Sequence, residues 1–180
     1  MQAFSNSLVL VVDDTPENIT TVSMLLQDIC EVAAATNGQE ALDLAAATSP
    51  DLILLDVLMP EMDGFATCRK LKENPETASI PVIFVTTLDS PEDKLEGFAV
   101  GAVDYITKPF HAGEIRARVR TQLRIRKLEQ HILQYQQFVA GEKKEFDSGS
   151  KFSEKFNQIF VCAEADDAVN FLNTAWVNLT

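Results

Sequence analysis

Three short, unbroken apolar runs constrain this chain more than any other feature. Leu8 to Val12 runs into Asp13 and Asp14, Leu52 to Leu55 runs into Asp56, and Val82 to Val85 runs into Thr86 and Thr87. Runs of this length without alternating polarity suit strands buried on both faces, as in a parallel sheet. Glu31 to Thr36 and Val103 to Thr107 are weaker candidates of the same kind.

Helical segments fill the gaps. Residues 16–29 open with Pro16 and Glu17, which suit a first turn. Residues 38–48 are rich in alanine, residues 64–73 follow Asp63 as an N-cap, and residues 91–100 open with Pro91. Strand and helix alternate five times. That alternation calls for a doubly wound α/β fold, a five-stranded parallel sheet with right-handed crossovers and helices on both faces.

After Phe110 the pattern changes. Residues 112–140 contain no proline and a single glycine, Gly113. Ile125, Leu128, Ile132, Tyr135 and Val139 fall at heptad spacing, which predicts a long C-terminal helix with a coiled-coil seam. About 30 residues at 1.5 Å each give a helix of about 45 Å. The basic run Arg116, Arg118, Arg120, Arg124, Arg126 and Lys127 reads first as a solvated helix face, with a dimer contact as the alternative. Residues 142–150 are polar and read as a linker.

The net charge is −12, which argues against general nucleic-acid binding. No apolar stretch approaches the ~20 residues that span a bilayer, and no secretory leader opens the chain. Three cysteines, Cys30, Cys68 and Cys162, cannot all pair within one chain. We read them as thiols of a reducing compartment and expect a cytoplasmic protein with no membrane partner.

In an open parallel sheet, functional groups gather at the carboxyl ends of the strands. Here those ends carry Asp13 and Asp14, then Asp56, then Thr86, with Lys108 and Pro109 after the fifth. Crowded carboxylates repel unless a cation or a lysine neutralises them. Hard oxygens suit Mg²⁺, which keeps several waters and accepts a phosphate oxygen. A carboxylate can also attack phosphorus.

At this point the chain resembles the response-regulator receiver family of two-component signalling. The residues that carry the resemblance are Val11 to Asp14, Leu54 to Pro60, Met62 to Gly64, Thr86, Gly101, Ala102, Tyr105, Lys108 and Pro109. The match covers roughly residues 7–122. It implies a flavodoxin-like sheet of order 2-1-3-4-5. It further implies Asp56 as phosphoacceptor, Asp13, Asp14, Asp56 and the Leu58 carbonyl as Mg²⁺ ligands, and Thr86 and Lys108 as phosphoryl contacts. Thr86 and Tyr105 become the switch pair: on phosphorylation Thr86 would move toward the phosphoryl group and Tyr105 would turn inward. The expected donor is a sensor histidine kinase or a phosphotransfer protein, and the Lys108–Pro109 bond is expected to be cis. A homodimer through residues 91–140 is expected. Leu58 and Leu88 would flank the phosphoryl group, and neither can orient a hydrolytic water, which implies slow self-dephosphorylation. Thr87 stands where the family has a smaller residue and would narrow access to Asp56.

Residues 123–151 are expected to form the coiled-coil-like helix and linker. Residues 152–180 resemble the opening of a PAS sensory domain, chiefly in Asn173 to Trp176 and Asn178 to Thr180. About 29 residues cannot bury enough apolar surface to fold as such a domain, so a truncated piece of a longer signalling protein is expected. A C-terminal hairpin is the alternative.

Two other functions compete. A phosphorylation-independent docking or dimerisation receiver would not need the acidic set. An aspartate-nucleophile phosphohydrolase of the haloacid dehalogenase type carries a second acid two residues after the nucleophile, and that position is Leu58. No independent catalytic turnover is therefore expected. A nucleotide-binding loop of the G-x-x-x-x-G-K type is absent from the sequence.

Overall fold

The computed structural model describes residues 4–87, 90–109 and 111–142. Leu88, the linker beyond residue 142 and the PAS-like stretch 152–180 lie outside the described residues. The chain divides into two units, Met1–His131 and Ile132–Thr180.

The elements run β1 (Leu8–Val12), α1 (Pro16–Leu26), β2 (Glu31–Ala35), α2 (Gly38–Thr48), β3 (Leu52–Leu55), α3 (Gly64–Glu73), β4 (Val82–Thr86), α4 (Pro91–Ala99), β5 (Asp104–Thr107) and α5 (Ala112–Glu142). All pairings are parallel and the strand order is β2-β1-β3-β4-β5. The expected flavodoxin-like fold and its long C-terminal helix are both present.

The apolar runs form strands because each supplies two cores at once. Leu10, Val12, Ile53, Leu55, Val82 and Phe84 face one core, which α2 and α3 cover with Ala41, Ala45, Phe65, Cys68 and Leu71. Val9, Val11, Leu52, Leu54, Ile83 and Val85 face the other, which α1 and α5 cover with Val22, Leu26, Ile115, Val119 and Leu123. Successive strand side chains point to opposite faces, so an unbroken apolar run is what a central strand requires. The edge strand β2 is only partly buried, which explains its weaker sequence signal.

Helix α1 ends at Leu26, earlier than the residue 29 read from the sequence. The Leu26 carbonyl accepts from the amides of both Ile29 (2.8 Å) and Cys30 (3.1 Å), closing a turn that no glycine or proline announces. In the first unit, α5 is strapped to the rest of the fold by its basic residues. Arg116 donates to the Leu25 carbonyl (2.8 Å) and to Asp28, Arg118 to Asp104 (2.7 Å), and Arg126 to the Ser79 carbonyl (2.9 Å). Lys127 Nζ also lies 4.9 Å from the centre of the Phe4 ring, so four of the six basic residues contact the fold. Ile125 and Leu128 are exposed on α5. In the second unit the helix continues to Glu142, with Ile132 and Tyr135 exposed, and the side chain of Val139 lies outside the described residues. No helix among the described residues is long and apolar enough to cross a membrane.

Candidate functional site

The site is assembled by strand register. The amide of Asp56 donates to the Val12 carbonyl at 2.9 Å, extending the β1–β3 ladder by one rung. That rung sets Asp56 beside Asp13, the residue after Val12. The amide of Lys108 donates to the Thr86 carbonyl at 2.8 Å, so the β5 tip is tied to the β4 tip. The Lys108–Pro109 peptide is cis, as expected.

Asp13 and Asp56 are both buried, and Asp14 is exposed. Carboxylate oxygens of the three lie within 4.8 Å of one another. The Lys108 ammonium donates to Asp13 Oδ2 and to Asp56 Oδ2, each at 2.7 Å. Asp56 Oδ1 accepts from the Leu58 amide at 3.2 Å, while the Leu58 side chain is exposed. Thr86 is fully buried and Thr87 exposed.

Burial pushes the Asp56 carboxyl above the ordinary carboxylate range; Lys108 opposes that shift, and the neighbouring Asp13 adds to it. Burial also works against the charge on Lys108, but its bonds to Asp13 and Asp56 outweigh burial and hold it above its usual value. One ammonium thus faces three crowded carboxylates and leaves negative charge uncompensated. A cluster of hard oxygens with one exposed carboxylate fits Mg²⁺. Asp13, Asp14 and Asp56 would supply the side-chain oxygens that hold it.

Tyr105 lies inward, buried, with its ring 5.9 Å from that of Phe84 in an edge-on contact. Asp63 caps α3 by accepting from the Ala66 amide at 2.7 Å. Gly64 lets α3 approach the site: a Cβ there would fall 2.2 Å from the Asp56 carbonyl oxygen. Met59 packs in the core, and His111 and His131 are exposed.

One residue escaped sequence reasoning. The Asn18 side-chain amide donates to both oxygens of Asp13, at 3.0 and 3.1 Å. Its only signal in the sequence is its place in the first turn of the helix that follows Asp13 and Asp14.

A five-stranded parallel sheet with three acids and a lysine at its strand tips defines a signalling domain of the two-component class, in the CheY fold. The chain belongs to the response regulator receiver domain family, which it matches over residues 9–120. It is 39% identical over 142 residues to a probable cyclic di-GMP phosphodiesterase of Vibrio cholerae, covering 79% of this chain and 32% of that protein. It is 45% identical over 119 residues to the response regulator PleD of Caulobacter vibrioides, covering 66% of this chain and 26% of the relative. Among solved structures, chemotaxis protein CheY4 of Vibrio cholerae shares 37% identity with a TM-score of 0.60, over 65% of this chain and 98% of that one. The chain therefore spans about a quarter to a third of the length of these two curated relatives.

Proposed function

We propose that this receiver accepts a phosphoryl group on Asp56 from a histidine kinase or phosphotransfer protein, and relays that event through α5 to a downstream module. The observation that carries the reading is the bridge of Lys108 between Asp13 and Asp56, at 2.7 Å to each, inside a three-carboxylate cluster. An Asp56 oxygen forms the new bond to phosphorus as the donor's phosphorus–nitrogen bond breaks. Phosphoryl transfer of this kind needs positioning and charge neutralisation more than a catalytic base. Lys108 supplies one positive charge, and Thr86 offers a hydroxyl to a phosphoryl oxygen. When bound by Asp13, Asp14, Asp56 and the Leu58 carbonyl, Mg²⁺ supplies the remaining positive charge. Thr86 and Tyr105 form the switch, since the new charge at Asp56 biases the residues packed beside it. Leu58 lacks a group to orient water, so self-dephosphorylation is slow and no independent turnover occurs. The buried thiols of Cys30 and Cys68 suit a reducing, cytoplasmic setting.

We divide the chain into a receiver over 7–122, a helix and linker over 123–151 and a PAS-like segment over 152–180. The receiver is proposed to act as a homodimer through residues 91–140. Exposed Ile125 and Leu128 support this, as do the flanking Arg124 and Glu129, whose opposite charges suit paired flanks of a parallel coiled coil. The stretch aligned with the Vibrio phosphodiesterase also supports a relay through α5. A run of 142 residues cannot end before residue 142, where α5 ends.

The test is incubation of the full chain with acetyl phosphate and Mg²⁺, followed by intact-mass measurement. A gain of one phosphoryl group is expected, absent without Mg²⁺ and absent in Asp56→Asn. An unchanged mass in the parent, or an equal gain in Asp56→Asn, refutes the assignment. The docking-only alternative predicts no gain, and a phosphohydrolase predicts steady release of phosphate from a phosphate ester.

A further inference from the structure

The carboxylate of Asp13 accepts four hydrogen bonds. Oδ1 takes one from the Thr15 amide (2.9 Å) and one from Asn18 Nδ2 (3.0 Å). Oδ2 takes one from Asn18 Nδ2 (3.1 Å) and one from Lys108 Nζ (2.7 Å). A carboxylate offers about four lone-pair sites, so these contacts fix the orientation of Asp13. Asp14 differs, being exposed, with only a long 3.4 Å contact from the Thr15 hydroxyl.

We propose that Asn18 is a positioning residue of the acidic site: its amide clamps Asp13 against Lys108 and so fixes the Asp13 carboxylate beside Asp14 and Asp56, where the three would hold a divalent cation. The inference rests on the Mg²⁺-dependent reading above. Without the Asn18 amide, each Asp13 oxygen keeps a single bond, Oδ1 from the Thr15 amide and Oδ2 from Lys108, where it had two, and the carboxylate is held less firmly. It is then free to turn, and its charge lies badly placed among Asp14 and Asp56, where like charges repel.

The local structure of α1 supports the assignment. Thr15 is the N-cap residue but makes no side-chain cap. The Asp13 carboxylate accepts from the Thr15 amide and from the Asn18 side chain, which ties the start of α1 to the β1 tip. Asparagine is a poorer helix former than alanine. Its presence here runs against local propensity and is accounted for by the contacts to Asp13. Replacing it with alanine therefore does not weaken α1 through propensity.

Mg²⁺ alone, titrated into the full chain by calorimetry without any phosphodonor, tests the idea. Asn18→Ala is expected to bind Mg²⁺ about tenfold more weakly, the scale of one hydrogen bond to a charged group. Asn18→Gln, which keeps the amide, is expected to bind more tightly than Asn18→Ala. With acetyl phosphate, the half-saturating Mg²⁺ concentration is expected to rise in Asn18→Ala. In the metal-free protein the Thr15 amide exchanges its proton faster, because its acceptor has moved.

Binding by Asn18→Ala within about twofold of the parent overturns the proposal. So does a glutamine variant no better than the alanine one. An Asn18→Ala chain that fails to fold also overturns it, since Asn18 would then maintain the fold rather than aim a carboxylate. A parent that binds no Mg²⁺ sinks this inference and the functional reading together. A parent that gains a phosphoryl group on Asp56, beside an unaffected Asn18→Ala, sinks the inference alone.

Discussion

Cys30 and Cys68 are each sealed in one of the two cores, and burial pushes both thiols up to about 11. A thiol reacts as the thiolate, so at pH 8 both stay inert in the folded protein. Alkylation with iodoacetamide is expected to leave Cys30 and Cys68 unmodified in the native state and to label both in urea, as read by peptide mass. The same shifts set a pH dependence. The folded thiols hold their protons above the ordinary value of 9.0, whereas the unfolded thiols do not. Their contribution to stability is whole below pH 9 and is lost as pH rises towards 11. The urea midpoint is therefore expected to fall between pH 9 and 11, and to fall less in Cys68→Ala than in the parent. An alkaline midpoint that does not move would contradict the burial of these groups.

Element α3 shows how a helix start can be shaped by the site it supports. Asp63 caps it, and Gly64 follows with its amide donating to the Val57 carbonyl at 2.9 Å. A Cβ on Gly64 would lie 2.2 Å from the Asp56 carbonyl oxygen and 2.7 Å from the Val57 Cα, both backbone atoms. Neither neighbour can rotate away, so the helix or the Asp56 loop must shift. Gly64→Ala is expected to cost about 1–3 kcal/mol, the range of overpacking, read from urea unfolding. It should also slow phosphoryl uptake at Asp56. A variant with parental stability and uptake would show that the close approach has no consequence.

At the scale of the whole molecule, the two cores fix the sheet, and α5 lends one of them Ile115, Val119 and Leu123, while Ile125 and Leu128 further along it are exposed. Those exposed residues are what a second copy would cover. Leu128→Glu is expected to shift the chain towards monomer in sedimentation velocity, while phosphoryl acceptance on Asp56 persists, because Leu128 is exposed and outside the acidic cluster. A parent that sediments as monomer at high concentration, with and without acetyl phosphate, removes the dimer.

Much of the fold was legible because a strand buried on both faces must be apolar throughout, and Leu52 to Leu55 or Val82 to Val85 fit little else. The identities of the site residues were legible for a related reason: acids placed at the ends of such runs converge when the strands are parallel. The end of α1 was not legible, since the turn after Leu26 is closed by backbone bonds that any side chain permits. Nor was the partition of the basic run on α5, because Arg116, Arg118 and Arg126 are distinguished from Arg120 and Arg124 only by the partners that other elements bring to them.

The sequence by itself determined the alternation of strand and helix, the buried character of the central strands and the acidic residues at their tips, since those depend on local pattern and on period. Only the tertiary structure decided that Lys108 bridges Asp13 and Asp56, that Tyr105 lies inward against Phe84, and that Asn18 holds Asp13. Those contacts join residues from different strands and helices. Their geometry comes from register and packing, which no single stretch of sequence encodes.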